Sequence, residues 1–152
     1  MRLEPPEPTG PDINSESDFY QRVKKRLLGM VGFERVEPAN ESGFPDTYFV
    51  VRNPNAKNRE GTIELKFFEK AGSPDLSSVA KIRGNQKAGL IEYSQMGGNR
   101  RFYLCYTKGG DVWLYDTAES LKGVMGKPAT PMGLAKLEEP AFPSWLTQLL
   151  SK

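Results

Sequence analysis

Five residues combine a reactive side chain with an informative position: Glu16, Asp46, Glu64, Lys66 and Gln86. Asp46 opens the run DTYFVVR (46–52), and Glu64 and Lys66 sit inside TIELKFF (62–68). Both runs are rich in aromatic and β-branched residues and predict strands. Side chains alternate along a strand, so Glu64 and Lys66 share one face, and Ile63, Leu65 and Phe67 share the other. Two carboxylates held close together repel and stay partly protonated. A divalent cation relieves that repulsion and then acts as a catalyst, lowering the pKa of a bound water and neutralising charge on a phosphate. A lysine beside it can orient the nucleophile or stabilise a pentavalent phosphorus. Phosphodiester hydrolysis is the chemistry these residue types suit.

Composition narrows the alternatives. The chain has 152 residues and no histidine. A Ser-His-Asp triad, a Cys-His pair, a histidine metal ligand and an imidazole base are therefore excluded. Cys105 is the single cysteine, so neither an intrachain disulfide nor a cysteine zinc site can form. Cys105 reads as a small buried hydrophobe in a strand, in keeping with a reducing compartment. The cation implied is a hard, oxygen-seeking one, Mg²⁺ or Mn²⁺. No apolar run reaches the roughly 18 residues of a membrane span. The N-terminal MRLEPPEPTGPD lacks the apolar core of a signal peptide. A cytoplasmic protein is expected, in the host cytoplasm if a phage encodes it. The net charge is +2, and +4 over residues 13–152, which is compatible with a nucleic-acid partner.

The elements that must position these groups follow from periodicity. Residues 1–12, with four prolines, predict a disordered or loosely packed tail. Asn14 or Ser15 can cap a helix running to about Leu28 and ended by Gly29 or Gly32. Its apolar stripe is Phe19, Tyr20, Val23, Leu27 and Met30. Glu16 falls within that stripe, while Asp18, Arg22, Lys25 and Arg26 lie off it. A short strand follows at Phe33–Glu37, then the strands 46–52 and 62–68. A second helix is predicted over Leu76–Gln95, capped by Ser73 and Asp75 and stopped by Gly97–Gly98. Val79, Ile82, Leu90 and Tyr93 form its stripe, with Gln86 near the centre. Arg101–Thr107 and Val112–Tyr115 read as a hairpin turning at Gly109–Gly110. Residues 117–142 read as irregular, followed by a short helix carrying Trp145, Leu146, Leu149 and Leu150 after Pro143. Tyr48, Phe49, Tyr103, Tyr106, Trp113 and Tyr115 are read as core.

Gly43-Phe44-Pro45-Asp46 followed by Ile63-Glu64-Leu65-Lys66 resembles the PD-(D/E)xK nuclease signature, with the acids 18 residues apart, a span a β-hairpin can cover. With Glu16 on the preceding helix and Gln86 on the following one, the pattern is most similar to the VRR-NUC branch, nucleases akin in fold to archaeal Holliday junction resolvases. The resemblance covers residues 13–116. One departure is the longer stretch from Lys70 to Gln86, where the family often has a short turn. The resemblance implies an α/β fold with a restriction-endonuclease-like αβββαβ core: a central mixed sheet flanked by helices. Residues 117–152 would be a C-terminal extension.

The resemblance also implies roles. Asp46 and Glu64 would be the main Mg²⁺ (or Mn²⁺) ligands, with the Leu65 carbonyl as a third. Lys66 would position or activate the attacking water, Glu16 would support a metal, and Gln86 would hold the scissile phosphate or the water. Lys81, Arg83 and Lys87, Arg52, Lys57 and Arg59, and Arg100 and Arg101 are the candidates for contact with the DNA backbone. The expected activity is structure-selective DNA cleavage, with four-way junctions as substrate. A homodimer would match the two-fold symmetry of a junction. The alternatives are a flap, single-strand or restriction-type nuclease of the same fold, and a non-catalytic DNA-binding module.

Overall fold

The computed structural model describes residues 12–35, 47–52, 59–78 and 84–152. Asp46, Lys57, Val79, Lys81, Ile82 and Arg83 lie outside the described residues, as does the predicted tail up to residue 11. Helix α1 spans Glu16–Arg26. The Ser15 hydroxyl caps it by accepting from the Asp18 N–H at 3.1 Å. Acids in the first turn (Glu16, Asp18) and bases in the last (Lys24, Lys25, Arg26) both suit the helix dipole. Phe19, Tyr20, Val23 and Leu27 are buried as the periodicity requires, whereas Met30 is exposed.

Strands β1 (Val31–Arg35), β2 (Thr47–Val51) and β3 (Arg59–Phe67) form an antiparallel meander. Helix α2 (Gly84–Gln95) belongs to the crossover to β4 (Arg101–Thr107), which lies parallel to β3. Of the helix expected from Leu76, Ser77 and Ser78 are helical, as are Gly84–Gln95, and residues 79–83 lie outside the described residues. Asp75 stands just before this helical Ser77–Ser78, and its carboxylate accepts from the Ser77 N–H at 3.1 Å. Strand β5 (Asp111–Tyr115) returns antiparallel to β4 through a turn in which Gly109 and Gly110 have φ of 102° and 93°. That conformation favours glycine, which has no Cβ to clash.

Residues 117–142 correct the sequence reading. They form helix α3 (Thr117–Val124) and strand β6 (Gly133–Lys136), which pairs antiparallel with β5. Helix α4 (Phe142–Leu150) follows, with proline in its first turn. The pattern was hidden because the buried face of α3 is Thr117, Ser120, Gly123 and Val124, mostly small and polar residues. Gly123 is there because Leu76 packs against it: a Cβ would stand 2.5 Å from Leu76 Cδ1 and 2.8 Å from its Cβ. Gly123→Ala is expected to destabilise the fold by about 1–2 kcal/mol through overpacking, read from the urea midpoint at unchanged slope.

The described residues form an α/β fold around one mixed, open six-stranded sheet in the order β1-β2-β3-β4-β5-β6. Its first face (Phe33, Phe49, Ile63, Leu65, Phe102, Leu104, Val112, Leu114) packs on α1 and α4. Its second face (Tyr103, Cys105, Tyr115) meets Leu76, Leu90 of α2 and Val124 of α3. Residues 117–152 share this core: Leu137, Phe142, Leu146 and Leu150 are fully buried in it. Arg22, off the apolar stripe of α1, is nonetheless buried and paired with Glu138. Arg26 donates to the carbonyls of Leu137 (3.0 Å) and Glu139 (2.7 Å). Two arginines of the first helix thereby fasten the segment between β6 and α4.

Candidate active site

Strand β3 is buried on both faces from Ile63 to Lys66, because helices cover the sheet on each side. The alternation that sends Ile63 and Leu65 to the α1 side sends Glu64 and Lys66 to the α2 side. There they are 3% and 7% exposed. Lys66 Nζ lies 3.3 Å from Glu64 Oε2. Two opposite charges taken out of water on an inner strand are a poor way to gain stability, since desolvation offsets much of their attraction.

The parallel register brings Tyr103 opposite Glu64 and Cys105 opposite Lys66. Burial, reinforced by the Glu64 carboxylate, pushes the Tyr103 phenol well above its ordinary range. Burial does the same to the Cys105 thiol; Lys66 opposes the shift and Glu16 adds to it. Both groups are therefore neutral at physiological pH. Burial also holds the Tyr115 phenol, farther along this face, up at about 12. The Thr62 hydroxyl, on the same side of β3, is buried with no hydrogen-bond partner among the described residues.

Of the five residues singled out above, the structure brings Glu64 and Lys66 into contact. Glu16, half-buried at the start of α1, is close enough to influence Cys105, the neighbour of Lys66. Gln86 lies in the first turn of α2, the helix that covers this face through Leu90, and its side chain is outside the described residues. Asp46 is also outside them; in sequence it precedes Thr47, whose register partner Ile63 precedes Glu64. The donor chemistry fits a hard cation: a buried carboxylate, no imidazole and a thiol held protonated. Among the described residues no cluster of three or more acidic or thiol groups that could hold a metal ion forms, and Asp46 lies outside them.

The basic residues divide. Lys87 is half-buried on α2, and Arg52 is exposed just after β2. Arg59 begins β3, so about 23 Å of strand separates it from Lys66. Its guanidinium donates to the Lys152 carbonyl at 2.6 Å. Arg100 donates to the carbonyls of Glu60, Lys152 and Leu150 at 2.6–2.7 Å and lies 5.6 Å from the ring centres of Phe49 and Phe102. Arg101 donates to the Gly89 carbonyl at 3.3 Å and sits 4.7 Å over the Tyr93 ring. These guanidiniums fasten α4 and α2 to the sheet, a use that charge counting along the sequence does not reveal. Arg100→Ala is expected to destabilise the fold by about 2–4 kcal/mol and leave the salt dependence of DNA binding unchanged, measured by melting and by titration across a salt series.

From the sequence alone, Tyr103 and Cys105 read simply as core. The alternation within RFYLCYT shows that they share a face, but their pairing with Glu64 and Lys66 depends on the parallel order of β3 and β4. In comparisons with protein-family models, curated proteins and solved structures, nothing matches this chain. No helix among the described residues is long and apolar enough to cross a membrane.

Proposed function

We propose that the protein is a Mg²⁺- or Mn²⁺-dependent DNA endonuclease of the PD-(D/E)xK type that resolves four-way junctions. The observation carrying this reading is the Glu64–Lys66 pair, buried side by side on an inner strand of an α-β-β-β-α-β arrangement. Glu64, Asp46 and the Leu65 carbonyl would hold the cation, with Glu16 supporting them. When bound, the cation supplies Lewis acidity toward the phosphate and a lowered water pKa. The Lys66 ammonium donates to the attacking water or a phosphate oxygen, and the Gln86 amide holds the scissile phosphate. The neutral Tyr103 and Cys105 keep the surroundings poor in competing charge, which strengthens each of these interactions. Lys81, Arg83, Lys87, Arg52 and Lys57 remain the candidates for backbone contact, and a homodimer would place two such sites on a two-fold symmetric junction.

The test is cleavage of a panel of four-way junction, nicked flap, single strand and plain duplex, in Mg²⁺ and in Mn²⁺, beside Lys66→Ala. The junction is expected to be cut fastest, with the variant silent. Flaps cut far faster would replace junction resolution by flap cleavage. No cleavage of any substrate would leave a DNA-binding module.

A further inference from the structure

A groove of about 570 Å³ opens at the carboxyl ends of the parallel strands β3 and β4, beside the residues leading into α1. In open α/β sheets this end of the strands is where ligands bind. Asp12, Phe67, Phe68, Glu69, Tyr106 and Lys108 line it. Phe67 directly follows Lys66 but faces the α1 side of the sheet, so the groove lies near the same strand ends as the candidate site and on the opposite face. The Phe67 and Tyr106 rings are stacked, 9° from parallel with centres 5.7 Å apart. Phe19 packs against Tyr106 at 5.5 Å, so the row of rings ends at Phe67, which is half-buried. Asp12 is near enough to Tyr106 to act on its phenol.

The groove therefore offers an aromatic wall, carboxylates on Asp12 and Glu69, and one exposed cation, Lys108. That chemistry matches a nucleotide. A base extends the ring stack, its exocyclic amine donates to a carboxylate, and its phosphate meets the lysine. We propose that this groove holds one unpaired nucleotide of a nucleic-acid substrate, apart from the scissile phosphate. The proposal rests on the nuclease reading for its biological setting, while the binding itself is measurable without cleavage.

The probe is a single-stranded hexanucleotide with a central 2-aminopurine, titrated in EDTA. Wild type is expected to quench the fluorescence saturably. Phe67→Leu, which keeps an apolar side chain but removes the ring, should bind about tenfold more weakly (about 1.4 kcal/mol) and quench little. Lys108→Gln, on an exposed turn, should weaken binding and lower the salt slope by about one charge, and it carries the test if Phe67→Leu does not fold. No quenching by wild type, or two variants that match it, would overturn the groove. Saturable quenching without cleavage in Mg²⁺ or Mn²⁺ would keep the groove and remove the nuclease reading; cleavage without quenching would do the reverse.

Discussion

Glu64→Gln is expected to lower junction cleavage on the order of 10³-fold or more while leaving junction binding intact. The substitution keeps the shape of the side chain at a position 3% exposed and removes only its charge. An amide is a far weaker ligand for a hard cation than a carboxylate. The loss corresponds to about 4 kcal/mol of transition-state stabilisation. Binding should survive because, on the proposed function, phosphate contacts would hold the duplex arms without this side chain. Asp46→Asn is expected to behave alike, since Asp46 is the other main carboxylate ligand of the proposed cation. Cleavage rates and gel-shift affinities for both variants decide the matter. Full activity in both would remove these residues from the site.

The second large effect concerns stability. Lys66→Met leaves the Glu64 carboxylate buried without its ammonium, which should destabilise the fold by about 3–5 kcal/mol. For a domain of this size that is roughly 10 °C or more in melting temperature. The double variant Glu64→Leu with Lys66→Met removes both charges and faces Tyr103 and Cys105 with apolar side chains. It should melt at or above wild type, because desolvating a buried pair offsets most of its Coulombic gain. Melting curves recorded in EDTA test this directly. A double variant as unstable as the single one would make the pair a structural device. A stable but inactive double variant would show that the chain keeps the pair for its chemistry.

Much of the fold was legible because the relevant patterns are local. The α1 stripe, the alternation in TIELKFF and the glycine turn at 109–110 each write their structure into neighbouring residues. The face shared by Glu64 and Lys66 follows from alternation alone. Residues 117–142 were not legible. The inner face of α3 is built largely from threonine, serine and glycine, which carry no hydrophobic period, and Gly123 packs on Leu76, 47 positions away. The intramolecular partners of the arginines were hidden for a related reason. A guanidinium ranks as surface charge in a sequence, yet Arg22 and Arg100 find their acceptors at Glu138, Leu150 and Lys152, which only the closed fold brings within reach.

The parallel pairing of β3 with β4 has a kinetic consequence. Every residue pair in it is 39 positions apart, whereas β1-β2-β3 and β4-β5 are joined by shorter connections. Loop-closure entropy must be overcome before such distant partners gain contact, so the two antiparallel units can form early and dock late. Glu64 and Lys66 lie on one side of that seam, with Tyr103 and Cys105 on the other. Until the seam closes, the ion pair stays in water, where it is harmless to the nascent chain. Desolvation of the pair and assembly of the site thus coincide with the final docking step of folding.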